Sequence, residues 1–176
     1  MSSEGTGLGA TPAAAVTTVN VSPVSDSYVN AGAPNRSFGS SWSMCSRGDI
    51  GAVSYLRFPI PAAPSGKVLT AARLQVNTTT ESTAGSAVAH SVSLAGDGWN
   101  ESTLNWSNRP AIGTRLGTLP SASGVNQSYQ VSLTPAALPT GQTTLAISST
   151  GNDGLCLWTQ NHGSAGFRPK LVLTYA

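Results

Sequence analysis

The chain has 176 residues, enough for one compact domain but too few for two ordinary ones. Only 9% of the residues are charged and 39% are hydrophobic, with 19 Gly and 11 Pro, a mixture that favours turns and strands over helices. The formal net charge is +2 and the basic residues form no cluster, so neither nucleic acid nor an anionic membrane is expected as a partner. No apolar run approaches the roughly 18 residues that a membrane-spanning helix needs.

The first residues, 1–15, are rich in Gly, Ala, Ser and Thr. They contain neither the basic stretch nor the apolar core of a signal peptide. We therefore interpret this segment as a linker with a start methionine added to it. A signal peptide or a neighbouring domain is expected to belong to the same protein, and residues 16–176 are expected to form a single domain.

Residues 16–176 consist of short, mostly alternating apolar runs separated by turn-forming residues. This spacing is typical of β-sandwiches, and only Pro135–Leu138 could form a helical turn. The sequence therefore predicts an all-β fold, an antiparallel jelly-roll β-sandwich of about eight to ten strands. The runs are Val16–Val21, Ser54–Ile60, Ala72–Val76, Val88–Leu94, Tyr129–Leu133, Leu145–Ile147, Leu155–Leu157 and Leu171–Tyr175.

Two positions predict local structure within this pattern. Pro59 indicates an edge strand or the end of a strand, because proline donates no hydrogen bond to a β-ladder. The longest irregular stretch, Gly96–Pro120, contains Trp99 and Trp106. We expect this stretch to fold back over a sheet, with both indoles serving mainly the structure.

The two cysteines, Cys45 and Cys156, form an even pair in a composition typical of exported proteins. We predict a disulfide between them, with two buried free thiols as the alternative. A zinc site is not expected, because neither cysteine has a second Cys or His at ligand spacing.

Each cysteine shares a short segment with a tryptophan, Trp42 or Trp158, so that a disulfide would bring both indoles toward one surface patch. Aromatic faces stack on the apolar faces of sugar rings, and planar polar side chains bind the hydroxyl groups. The alternative is that both tryptophans close the core at its rim. The candidate ligand-binding residues are Arg36, Trp42, Arg47, Trp158, Gln160 and His162.

Groups that could carry catalysis are scarce. Asp97 and Glu101 are the best carboxylate pair for a glycosidase, since both lie beside Trp99. His90 sits in an apolar run, which favours a buried, hydrogen-bonded ring. No nucleophile or zinc-hydrolase motif is present, and we expect no catalytic residues.

No cofactor is required by any motif, but a structural calcium ion is a hypothesis that the sequence leaves open. Calcium takes hard oxygen ligands and often fastens loops. Asp26 and Asn30 are the candidate ligands, with Asp97 and Asp153 as further loop acids. No contiguous acidic loop occurs, so any such site would join distant segments.

The order of motifs along the chain resembles a known family. The chain is similar to the DNRLRE-type domains, which include carbohydrate-binding module family 96, from about residue 20 to residue 176. The motifs that carry the resemblance are Asp26–Asn30, Pro34–Asn35, Phe38–Gly39, Tyr55–Phe58, Ala71–Val76, Trp99–Pro110 and Arg168–Tyr175.

The resemblance implies a β-sandwich attached to secreted bacterial proteins that degrade polysaccharides, and a structural role for Glu101 in satisfying backbone N–H groups. In family members it implies binding of acidic polysaccharide, such as alginate, through basic side chains. This chain has only Lys67 and Lys170 as lysines, so a lysine-rich site does not transfer.

The sequence thus predicts a non-catalytic, extracellular carbohydrate-binding module. We expect it to be a monomer tethered to a catalytic domain, with an acidic polysaccharide or a neutral glucan as its partner. A structural or adhesive spacer of a secreted or cell-wall protein is the first alternative. A polysaccharide-degrading enzyme is the second.

Overall fold

The computed structural model describes residues 15–176, so the predicted linker over residues 1–15 lies almost wholly outside the described residues. The described chain is built from antiparallel strands and two short 3₁₀ turns, Pro135–Ala137 and Ala165–Phe167. The strands are β1 (Thr17–Val21), β2 (Ser25–Asn30), β3 (Ser43–Ser46), β4 (Ala52–Ile60), β5 (Leu69–Asn77), β6 (His90–Ala95), β7 (Ile112–Leu119), β8 (Ser128–Leu133), β9 (Gly141–Ser148), β10 (Leu155–Trp158) and β11 (Lys170–Tyr175).

Two large sheets face each other. One has four strands in the order β1-β11-β5-β8, and the other has five strands in the order β2-β4-β9-β6-β7. Without β2, these orders are those of an eight-stranded jelly roll. The predicted antiparallel β-sandwich is therefore confirmed, with β2 and a separate two-stranded ribbon added to it.

The core between the sheets follows the alternation of the sequence. Leu56 and Phe58 of β4 lie against Leu74 of β5 and Leu171 of β11, and all four are fully buried. Pro59 lies on the same strand, two residues beyond the last residue of β4 that pairs with β2. Pro59 thus lies near the end of β4, as predicted. Because β2 does not extend to this position, the missing N–H of Pro59 costs no hydrogen bond to β2.

A second, smaller core covers the outer face of the five-stranded sheet. The loop from residue 96 to residue 111 folds over this face, as predicted, and buries Trp99 and Leu104 against Tyr55 and Val29. The predicted irregular stretch is too long, however, because its last third forms β7.

The loop also encloses Arg57, which alternation alone would place in solvent. Its guanidinium donates hydrogen bonds to Asp97 and to the backbone carbonyl of Trp99, and it lies 4.3 Å from the Trp99 ring centroid. A buried cation needs such partners, so Arg57 fixes the loop against the sheet.

The remaining strands, β3 and β10, form a two-stranded antiparallel ribbon that we call the disulfide ribbon. Cys45 and Cys156 are directly opposite each other in it and are joined by a disulfide. Met44, Leu155 and Leu157 point from the ribbon into the main core. The ribbon contacts β2, β4 and β5 and therefore bridges the two sheets of the sandwich.

His90, the first residue of β6, forms a hydrogen bond to the disulfide ribbon from the protein interior. Its two ring nitrogens contact the hydroxyls of Ser46, on the ribbon, and Ser86 at 3.1 and 2.9 Å. The ring is buried, and burial lowers the pKa of His90, although the backbone and charge of Asp153 act in the opposite direction. The predicted buried, hydrogen-bonded histidine is confirmed.

Within residues 15–176 no helix is long and apolar enough to cross a membrane.

The disulfide predicts a large contribution to stability. Cys45 and Cys156 are 111 residues apart, and closing so long a loop restricts the unfolded chain by about 4–5 kcal/mol in the chain-entropy model. Replacing both cysteines by serine should lower the free energy of unfolding by about this amount, measured by urea denaturation. Dithiothreitol should have a similar effect on the wild type and none on the double variant. Equal stability of the two proteins without reductant would contradict the prediction.

His90 predicts a loss of stability in mild acid. Its folded pKa lies below the ordinary 6.5, so below pH 6.5 the unfolded chain binds a proton that the folded protein rejects. The contribution of the neutral ring is therefore present above pH 6.5 and lost as the pH falls. Between pH 7.5 and pH 5 the wild type should lose up to about 2 kcal/mol more unfolding free energy than His90→Gln. Urea denaturation at both pH values measures this, and parallel losses would contradict it.

Candidate functional site

One end of the disulfide ribbon carries a cluster of aromatic rings on its outer side. Along β10, Leu155 and Leu157 are buried and Trp158 points the other way. Trp42 immediately precedes β3, and its carbonyl accepts the N–H of Thr159, which extends the ribbon by one pair. The disulfide thus brings the two indoles to the same end, as the sequence predicted.

His162 lies at the centre of this cluster. Its ring centroid is 5.4 Å from Trp42, 4.7 Å from Trp158 and 5.0 Å from Phe167. We call these residues, Trp42, Trp158, His162 and Phe167, the aromatic patch. Trp42 has 54% of its surface exposed and Phe167 has 37%, so the patch presents ring surface to solvent instead of closing the core.

The imidazole adds a directed polar group to the patch. The backbone N–H of Ser164 donates to His162 Nδ1 at 2.9 Å. In the neutral ring the proton therefore lies on Nε2, which makes Nε2 a hydrogen-bond donor between the aromatic faces. A patch of exposed rings with one such donor is suited to a ligand with both apolar faces and hydroxyl groups.

The loop that carries His162 is held by hydrogen bonds from both sides. Asn161 Nδ2 donates to the carbonyls of Gly39 and Ser41, and Thr159 Oγ1 donates to Ser41 as well. Arg168 Nε donates to the carbonyl of His162 at 2.7 Å. These bonds preorganise the rings before any ligand arrives.

Beneath the patch, Gln160 joins two acidic residues, and we call Asp26, Glu101 and Gln160 the carboxylate junction. The backbone N–H of Gln160 donates to Asp26 Oδ2 at 2.7 Å, and its Nε2 donates to Glu101 Oε1 at 2.7 Å. Glu101 Oε1 also accepts the N–H of Asp26 at 3.0 Å, so Glu101 satisfies one backbone N–H, in the structural role that the resemblance implied. The junction ties β2, the 96–111 loop and the patch loop together.

Asp26 is an unusual member of this junction because it is only 1% exposed. Burial raises its pKa to about 7, and the charge of Glu101 acts in the same direction, while the hydrogen bond from Gln160 opposes both. Its second oxygen, Oδ1, is buried and has no hydrogen-bond partner. Few buried polar atoms are left in this state.

The structure separates the six predicted ligand-binding residues. It brings Trp42, Trp158 and His162 together in the patch. Gln160 instead belongs to the carboxylate junction. Arg36 instead lies over the Phe38 ring, 4.9 Å from its centroid.

Arg47 follows β3 at the end opposite Trp158 and forms an ion pair with Asp49 at 2.7 Å. It lines a separate cleft of about 320 Å³ with Tyr28, Ile50 and Asp153. The two arginines therefore do not form one basic site with the tryptophans.

Two residues at the site were not among the predicted binding residues. Phe167 belongs to the 3₁₀ turn Ala165–Phe167, and Arg168 follows it. Both lie in a segment without strand periodicity, so no local pattern indicated them. Their position immediately before β11 was the one available signal, since the chain must pass the end of β10 to enter that strand.

Asp97 and Glu101, the carboxylates considered for glycosidase chemistry, have separate structural roles. Asp97 pairs with Arg57 at 2.8 Å and accepts hydrogen bonds from Thr144 and Gln142. Burial acts to raise the pKa of Asp97, but these hydrogen bonds and the Arg57 charge lower it overall. A general acid needs a raised pKa, whereas Asp97 has the opposite shift.

The predicted pairing of Asp26 with Asn30 in a calcium site does not fit the geometry. The two residues lie four positions apart on the extended strand β2, which separates them by about 13 Å along the strand. Asn30 Oδ1 accepts the N–H of Gly32 at 2.8 Å. Across the described residues, no group of three or more His, Cys, Asp or Glu could hold a metal ion.

The chain was compared with protein families, curated proteins and solved structures. The model of carbohydrate-binding module family 96 matches residues 17–175, and no curated protein matches the chain. Among solved structures, the chain is similar to a carbohydrate-binding module (CBM6cm-2) from Cellvibrio mixtus lichenase 5A, in complex with cellotriose. The identity is 11% and the TM-score 0.33, over 85% of this chain and 95% of that chain.

The family match runs from the first residue of β1 to the last residue of β11. It therefore includes both sheets, the disulfide ribbon and the aromatic patch. The chain belongs to carbohydrate-binding module family 96.

Proposed function

We propose that the chain is a non-catalytic module that binds polysaccharide through its aromatic patch. The observation that carries the proposal is the exposure of Trp42 beside the other rings of the patch at one end of the disulfide ribbon. Burying an exposed indole face against a sugar ring gains hydrophobic and dispersion energy. His162 Nε2 and other polar groups near the patch would bind the hydroxyls of the same ring.

The charges near the patch favour a neutral polysaccharide over an acidic one. Arg168 uses Nε and Nη2 to hold backbone carbonyls, and Arg47 is paired with Asp49 at the other end of the ribbon. A carboxylated sugar is best held by a bidentate guanidinium, and neither arginine is free to act in that way at the patch. An acidic polysaccharide such as alginate is the second candidate, supported by the resemblance to the family.

We further propose that the module acts in an extracellular bacterial protein, as a monomer tethered to a catalytic domain. A disulfide persists in oxidising compartments. Tethering raises the effective concentration of an enzyme at its polymer, so a modest affinity of the module is sufficient. A compact binding surface on one ribbon end is consistent with that task.

The polysaccharide class can be tested by affinity electrophoresis. The protein should be retarded by one or more neutral polysaccharides, such as β-1,3-glucan, mixed-linkage glucan, xylan or mannan, to the same extent at low and high salt. Retardation by alginate or pectin that fades with salt would instead favour the acidic ligand. Migration unchanged by every polysaccharide would contradict binding and favour the spacer function.

The patch itself can be tested with Trp42→Ala. Loss of this exposed ring should weaken binding to the retarding polysaccharide by at least about tenfold, which corresponds to roughly 1.4 kcal/mol. The unfolding free energy should change little, because Trp42 is 54% exposed. Isothermal titration calorimetry and urea denaturation measure the two effects.

Ile112→Ala is the matched control. Ile112 is also exposed, at 43%, but lies on β7, at the edge of the five-stranded sheet opposite β2. It should bind like the wild type. Unchanged affinity in Trp42→Ala would place the binding surface elsewhere on the molecule.

A further inference from the structure

We propose that the carboxylate junction is a calcium site, in which Asp26, Glu101 and Gln160 bind one ion beneath the aromatic patch. This inference does not depend on the proposed polysaccharide binding. It rests on a buried carboxylate oxygen without a partner, on two acidic side chains without a cation, and on the type of donor atoms that surround them.

The first observation is Asp26 Oδ1, which is buried and accepts no hydrogen bond. The other oxygen of this carboxylate, Oδ2, is held by the N–H of Gln160, so the orientation of the group is fixed. A carboxylate oxygen buried without a partner is strongly unfavourable. A bound cation would remove this penalty without moving the hydrogen bonds already made.

The second observation is the charge of the junction. The ion pairs among the described residues are Arg47–Asp49 and Arg57–Asp97, so neither Asp26 nor Glu101 has a cationic partner there. The two are close enough for the N–H of Asp26 to reach Glu101 Oε1 at 3.0 Å. Adjacent carboxylates in a partly buried site repel each other unless a proton or a cation lies between them.

The third observation is the set of donor atoms. With Oδ2 of Asp26 and Oε1 of Glu101 already bound to N–H groups, Oδ1 and Oε2 remain for an ion. Gln160 uses its Nε2 for Glu101, which leaves its Oε1 as a third oxygen. Carboxylate and amide oxygens without histidine or thiolate favour calcium over zinc or copper.

A neighbouring cleft gives water access to Glu101. Glu101 lines an open cleft of about 330 Å³ together with Ser37, Gly39, Ser40 and Ser102. Calcium takes six to eight oxygens in flexible geometry and accepts water among them. The cleft can supply that water, whereas the strict octahedron of magnesium would require closer adjustment of the loops.

The test is calcium binding to protein that has been treated with EDTA and dialysed at pH 7.5. Titration with CaCl₂ should give a saturable one-site isotherm in calorimetry. The melting temperature should rise by several degrees at saturation, since the ion binds the folded chain and not the unfolded one. Equal concentrations of MgCl₂, with matched ionic strength, should give a clearly smaller shift.

Two variants locate the site. Asp26→Asn and Glu101→Gln each remove one charged ligand, and each should abolish the calcium shift or weaken binding at least about tenfold. If Asp26→Asn fails to fold, Glu101→Gln decides the question. Glu81→Gln is the matched control, because Glu81 is an exposed acid outside the junction, and it should keep the full shift.

Three results would overturn the proposal. The first is the absence of both heat and stabilisation when CaCl₂ is added to the wild type. The second is an equal shift with MgCl₂, which would indicate screening of surface charge. The third is a full calcium shift in Glu101→Gln and in folded Asp26→Asn, which would place the ion elsewhere.

Discussion

The structure depends most on the covalent bond that closes the disulfide ribbon. Cys45 and Cys156 belong to segments that are 111 residues apart, and the ribbon they form belongs to neither large sheet. A two-stranded ribbon alone is marginal in water. Here the inward side chains of the ribbon join the main core while the disulfide fixes its register, so the outer face can carry groups that contribute nothing to packing.

The free outer face explains how an indole can remain more than half exposed without unfolding the protein. Trp42 and Trp158 flank the end of the ribbon, and the loop that follows β10 places His162 between them. That loop has little apolar burial of its own and is fixed by hydrogen bonds to Ser41, Gly39 and the carboxylate junction. Hydrogen bonds therefore replace hydrophobic packing in the loop that leaves the aromatic rings exposed.

Much of the fold could be predicted because buried strands leave a period of two in the sequence. β5, β8, β10 and β11 show it most clearly, whereas the centres of β4 and β9 are buried on both faces under the loop over residues 96–111. β2 does not, because its buried residues include Asp26 and Ser27. β7 does not either, because its first residues are exposed on an edge strand.

The candidate site was only half predictable. The two cysteines were sufficient to place both indoles, because each tryptophan lies within three residues of a cysteine and the disulfide pairs the two segments. The position of Phe167 depends on which loops meet in space, which no period records. Arg57 shows the same limit on the fold side, because alternation turns its side chain away from the main core but does not show that a loop covers that face.

The carboxylate junction shows why the patch and the fold cannot be treated separately. Glu101 comes from the loop that covers the five-stranded sheet, Asp26 from the edge strand β2, and Gln160 from the loop of the patch. Any change in the charge of this junction alters hydrogen bonds in all three segments at once. A cation there would lower the repulsion between the carboxylates and hold the patch loop more firmly, so occupancy of the junction and rigidity of the rings should rise together.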